Sequence, residues 1–211
     1  MKMTLIYLFD PLCGWCYGAG PALTAVTVAG INVELLPTGM FSGARARVMD
    51  DDFASFARNN DLRIGHLSGQ LFTEDYRQSV LADRQQRFDS EPASLALTAV
   101  ALTCPDGSMA ALKAIQHARF VAGRDVTDRP TLCAILTQAG LQESADTLEQ
   151  LSQALLDAHR LRVDEAGVLM DQFHASGVPT FIGVSPGRRW LLRSNGIHAE
   201  PNALVGQLQA A

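Results

Sequence analysis

The chain has 211 residues, 47% of them apolar and 18% charged, with seventeen Lys and Arg against twenty-two Asp and Glu and a net charge of −5. That is enough material for one compact unit with a real core, so four cysteines are too few and too unevenly spaced to be a structural framework. Only Lys2 and Lys113 are lysines and no basic run exceeds Arg188-Arg189, which argues against nucleic acid as a partner, and no stretch approaches the ~18 consecutive apolar residues of a membrane span.

Leu5-Ile6-Tyr7-Leu8-Phe9 predicts a strand that stops at Asp10-Pro11. Met1-Lys2-Met3-Thr4 before it carries one positive charge, and no small-residue cleavage site follows. The start is therefore expected to belong to the fold, and the protein to work in the cytoplasm, where a Cys-x-x-Cys is catalytic or redox-sensing rather than structural.

Cys13-Gly14-Trp15-Cys16 comes directly after that strand and before a helix over 20–29. Two thiols three residues apart at a first helical turn can close into a disulfide, and the unpaired N–H groups there favour a thiolate on the first. Cys13 is the candidate nucleophile and Cys16, one turn further in, the resolving thiol. Half of a zinc site is the weaker reading, because Cys104 and Cys133 stand alone and no histidine lies at ligand spacing; no metal is expected. Trp15, between the cysteines, is expected at the mouth of the site, in contact with substrate. Asp10 is either a turn residue or a group that tunes the thiols.

Ile31 to Leu36 predicts a second strand, stopped by Pro37-Thr38-Gly39. From residue 50 the pattern is helical for more than a hundred residues. Asp50-Asp51-Asp52 opens one helix, and 71–89 reads as loop plus a helix of undefined length. Ser90-Glu91-Pro92 reads as N-cap and early-turn proline of a very apolar, central helix over 93–103. Ser108 is expected to cap the next, 130–139 forms another, and 141–162 and 163–174 follow. Cys104 and Cys133 are expected as buried, inert thiols, and the isolated histidines as surface or packing residues. Residues 178–192 then read as a hairpin about Ser185-Pro186-Gly187, and 201–209 as a closing helix.

This order of strand, helix, strand, helical insert, hairpin and helix, with Asp10-Pro11-Leu12-Cys13-Gly14-Trp15-Cys16-Tyr17-Gly18 and Gly177-Val178-Pro179-Thr180-Phe181, resembles the DsbA family of thiol-disulfide oxidoreductases. The first motif is most similar to the intracellular, FrnE-like branch of candidate protein-disulfide isomerases. Gly14-Trp15 replaces the Pro-His found between the cysteines of exported members. The resemblance implies an α/β, thioredoxin-like fold with an all-helical insertion between the second and third strands. It divides the chain into a discontinuous thioredoxin-like domain, 1–38 and 176–211, and an insertion subdomain, 39–175.

The resemblance further implies that the Val178–Pro179 bond is cis and lies against the cysteines, with Val178 offering its backbone to a substrate peptide. The expected activity is disulfide exchange with protein or peptide thiols and disulfides, with no cofactor beyond the redox-active pair itself and with glutathione or a thioredoxin system as electron partner. Two alternatives stay open on the residues: a glutathione-dependent transferase or isomerase of the kappa-class type, which usually has serine in place of Cys13, and a non-catalytic redox-switch binding protein.

Overall fold

Every residue of the first strand is buried or nearly so, and the reason lies in its neighbours. In the computed structural model, which describes residues 3–210, β1 (Thr4–Phe9) pairs in parallel with β2 (Asn32–Pro37), Thr4 opposite Asn32 and Phe9 opposite Pro37. On its other side it runs antiparallel to β5 (Thr180–Ser185), which in turn pairs antiparallel with β6 (Arg188–Leu191). The sheet order is β2-β1-β5-β6, so the two ends of the chain build one sheet. Two further strands, β3 (Arg47–Val48) and β4 (Arg87–Phe88), form a small separate pair that periodicity misses, because two residues show no alternation. The sequence reading of Met1 and Lys2 falls outside the described residues.

A central strand covered on both faces reads as an unbroken apolar run. Leu5, Tyr7 and Phe9 point into the main core with α2 (Gly20–Val28) and the closing α10 (Ala203–Gln209); Tyr7 stacks on Phe9 and on Phe181, each at 5.2 Å. Ile6 and Leu8 point the other way, into a smaller cluster with Leu36, Ile182, Ala166 and Leu169. The last two belong to a long helix of the insertion. Gly183 allows the hairpin to close: a Cβ there would lie 2.4 Å from the Trp190 ring.

The insertion begins with α3 (Asp51–Ser68), capped by Asp50, whose carboxylate accepts from Phe53 N at 2.7 Å, and ended by Gly69 at φ 71°. The expected mixture over 71–89 resolves into α4 (Glu74–Tyr76), a π-helical turn (Arg77–Leu81) and β4. Next come α5 (Glu91–Thr103), buried from Ala93 to Val100 as its composition predicts, and α6 (Ser108–Phe120). Neither expected serine cap forms. Ser90 turns its hydroxyl to Asp10 instead, and Ser108 is already inside its helix, behind Gly107.

α7 (Arg129–Gln138) is followed by α8 (Gln142–Gln150) and α9 (Gln153–Gln172). The break falls at Leu151, φ 44°, and Ser152, whose hydroxyl accepts from Leu155 N at 3.3 Å, rather than between 162 and 163. The expectation of one helix over 141–162 fails because the apolar stripe continues through the break, while the cap marks the true start.

Candidate active site

Asp10 turns the chain out of β1. Its carboxylate accepts from Leu12 N at 3.0 Å and its carbonyl from Cys13 N at 3.1 Å, which makes Cys13 the N-cap of α1 (Gly14–Gly18). The cap has extended backbone and no side-chain hydrogen bond, so no side chain caps the first-turn N–H groups at the Cys13 end of the helix. α1 is short, and Ala19 separates it from α2.

Cys13 is 8% exposed and Cys16 1%. The order of exposure is as expected, but Cys13 does not stand open to solvent: the 177–180 loop covers it, with Cys13 Sγ 4.0 Å from the Val178 carbonyl across the cis Val178–Pro179 bond. Burial pushes the Cys16 thiol well above its ordinary value, and its hydrogen bond with Cys13 acts in the same direction; the backbone of Asp10 and the Tyr7 hydroxyl oppose it. Tyr7, beneath the pair, donates to the Cys16 carbonyl at 3.1 Å.

Trp15 is half-buried and held on both sides. The His198 ring packs edge-on against it at 5.0 Å and donates from Nε2 to the Trp15 carbonyl at 3.0 Å, while the Arg63 guanidinium lies 5.6 Å from the indole. With Val178, Pro179 and His174 these residues line a cleft of about 610 Å³, a size suited to a small peptide. No Asp or Glu lines it, although the chain as a whole is acidic.

Behind the pair, Asp10 is completely buried. Its carboxylate also accepts from Ser90 Oγ at 2.6 Å and from Phe41 N at 3.1 Å; desolvation raises it to about 6, against the pull of those hydrogen bonds and of Arg119. Both sequence readings of Asp10 hold in part, since it makes the turn and is a perturbed acid beside the thiols. Asp61 of α3 reaches the same segment: a Cβ on Gly14 would lie 2.8 Å from its Oδ1. Burial raises Asp61 to about 7.

Arg63, His198 and Asp61 had no local sequence signal. Two come from α3, packed against α1, and one from the loop after β6, each far from the cysteines in sequence. The expectation of buried spare cysteines is corrected. Cys104 is exposed, because it follows the last turn of α5 at the Pro105 stop, and Cys133 is half-buried, off the Leu132, Ile135, Leu136 stripe that α7 buries. Among the described residues Cys13 and Cys16 are thus the one Cys-x-x-Cys pair, next to a cleft that Trp15, Val178 and Pro179 line and to the buried Asp10 and Asp61 carboxyls.

No protein-family model matches the sequence, and no curated protein does. Solved structures do. The cytosolic disulfide reductase DsbM from Pseudomonas aeruginosa is 34% identical, with a TM-score of 0.86, over 99% of this chain and 100% of that one. This chain belongs to the DsbA family of thioredoxin-fold proteins. A second DsbM structure, with GSH, matches at 32% identity and a TM-score of 0.84 over 98% of each chain. A candidate protein disulfide isomerase from Nitrosomonas europaea matches at 25% identity and 0.80 over 100% of this chain and 99% of that one. As a member of the DsbA family with its Cys-x-x-Cys intact, the protein is a thiol-disulfide oxidoreductase. Among the described residues no helix is long and apolar enough to cross a membrane.

Proposed function

We propose that the protein is a cytoplasmic disulfide reductase that draws electrons from glutathione and delivers them to protein or peptide disulfides. The observation that carries this reading is the cleft in front of the dithiol: its one permanent charge is Arg63, and glutathione brings two carboxylates and a thiol on a peptide frame. Resemblance to DsbM, whose structure with GSH has been solved, supports it.

In this mechanism the Cys13 thiolate attacks one sulfur of the substrate disulfide, and the other leaves as a thiolate that takes up a proton. Cys16 loses its proton and attacks Cys13 Sγ, releasing the second substrate thiol and closing the Cys13–Cys16 disulfide. One glutathione thiolate then attacks Cys13 Sγ and frees Cys16, which is reprotonated. A second glutathione attacks the mixed disulfide, leaving glutathione disulfide and the Cys13 thiolate. The high proton affinity that burial gives Cys16 makes it a good resting thiol and keeps the attacking role with Cys13. Trp15, Val178 and Pro179 are proposed as the substrate side, with the Val178 backbone running beside the bound peptide.

The test is turnover of a model peptide disulfide with glutathione, glutathione reductase and NADPH. Wild type should turn over many times, Cys16→Ser should accumulate mixed disulfides that reductant dissolves, and Cys13→Ser should form none. Trapping by Cys13→Ser equal to that by Cys16→Ser would overturn the assignment, and activity with dithiothreitol but not with glutathione would overturn the choice of donor.

A further inference from the structure

Arg119 of α6 is 1% exposed, and none of its three guanidinium nitrogens makes a hydrogen bond of normal geometry among the described residues. It is packed among aromatic rings, 5.2 Å from Phe88, 5.7 Å from Phe120 and 5.8 Å from Tyr76. An arginine cannot shed its proton, and a buried cation without a counter-charge is strongly destabilising. Three acids, Asp10, Asp61 and Asp125, and the Tyr76 hydroxyl lie within electrostatic reach. Two of those acids touch the dithiol segment. Asp10 holds Leu12 N through its carboxylate and Cys13 N through its carbonyl, and Asp61 Oδ1 packs on Gly14 while its Oδ2 has no hydrogen-bond partner.

We propose that Arg119 is a positioning residue of the exchange site: its buried guanidinium is the counter-charge that seats Asp10 and Asp61 against the Leu12–Gly14 segment. It acts through those carboxylates and does not touch the thiols. Ser90, the amides of Leu12 and Phe41 and the Tyr7 ring face Asp10, while Tyr76 and Arg77 face Asp61. Arg119 is the cation that both acids share. Its field opposes the desolvation that would protonate them, so removing it leaves each carboxyl neutral over a wider pH range. A neutral Asp10 binds Leu12 N and Phe41 N less strongly, and the cysteine loop loosens. The inference rests on exchange at Cys13 and Cys16 and not on the electron donor, so the assay uses dithiothreitol and a model peptide disulfide.

Wild-type kcat/KM should fall on the acid side near pH 6. In Arg119→Met the acid limb should move up by about one pH unit, an extra loss of roughly fivefold at pH 6 relative to pH 8, with partial return in Arg119→Lys. A structural role alone would lower activity equally at both pH values, and that result, or an unmoved limb, overturns the proposal. If Arg119→Met does not fold, Asp10→Asn carries the test: it should lower turnover at pH 8 and flatten the dependence between pH 6 and pH 8. Wild-type behaviour of Asp10→Asn would overturn the proposal as well.

Discussion

The dithiol segment has two unlike sides. In front, toward the cleft, are groups that can be reached: an indole held by His198, the Arg63 guanidinium and the Val178 backbone. Behind it are buried groups: the Asp10 and Asp61 carboxyls, and the Arg119 guanidinium packed among aromatic rings. Charge in front is screened by water and free to meet a ligand, whereas charge behind is desolvated and acts on the protein itself. The difference separates what the site binds from how it is held.

The largest effect at the back of the site is expected from Asp61→Asn. Burial raises Asp61 from its ordinary value to about 7, so between pH 4 and pH 7 the folded state holds a proton that the unfolded chain has lost. Its contribution to stability is fully present below about pH 4 and is lost progressively as pH rises through 7. Asparagine does not titrate. The stability of the variant relative to wild type should therefore rise by on the order of 4 kcal/mol between pH 4 and pH 8, since each tenfold change in proton affinity is worth roughly 1.4 kcal/mol. Urea melts at both pH values check this, and a constant difference would mean that the back of the site is not desolvated.

Arg63→Gln probes the front, where the effect is smaller because the guanidinium is solvated. Losing one charge-assisted contact at an exposed position should raise the KM for glutathione about five- to tenfold, with no change in the pH dependence of folding. An unmoved KM would remove Arg63 from the binding surface and break the division between the two sides.

Much of the front was legible in the sequence and almost none of the back. Cys13, Trp15, Cys16 and Val178-Pro179 lie in two short motifs whose local context already implies a redox loop. The four main strands follow from their apolar runs and turns, and one sheet joins 4–37 with 180–191. The back is assembled by packing: Asp61 and Arg119 lie on different helices of the insertion, and within each helix they read as ordinary polar positions. Ser90 shows the limit of local rules. Its place before Glu91-Pro92 is that of an N-cap, yet its hydroxyl is drawn to Asp10, eighty residues away, because a buried carboxylate is the stronger acceptor. Cys104 fails for the opposite reason, since an apolar flank does not reveal that the helix ends at the surface.

The proposed division into 1–38 with 176–211 and 39–175 is a statement about chain organisation more than about independent cores. α9 of the insertion covers one face of the sheet, and the main cluster of buried residues runs through both parts.

Glutathione drives this dithiol in the proposed cycle only if the Cys13–Cys16 couple has a reduction potential that glutathione can meet. Equilibration against defined ratios of reduced and oxidised glutathione, with acid quench and thiol alkylation, should place the couple near the glutathione poise, about −200 to −260 mV. A value near −120 mV, as in strongly oxidising family members, would contradict delivery of electrons to substrate disulfides, and one below about −300 mV, beyond what glutathione reduces, would contradict glutathione as the donor.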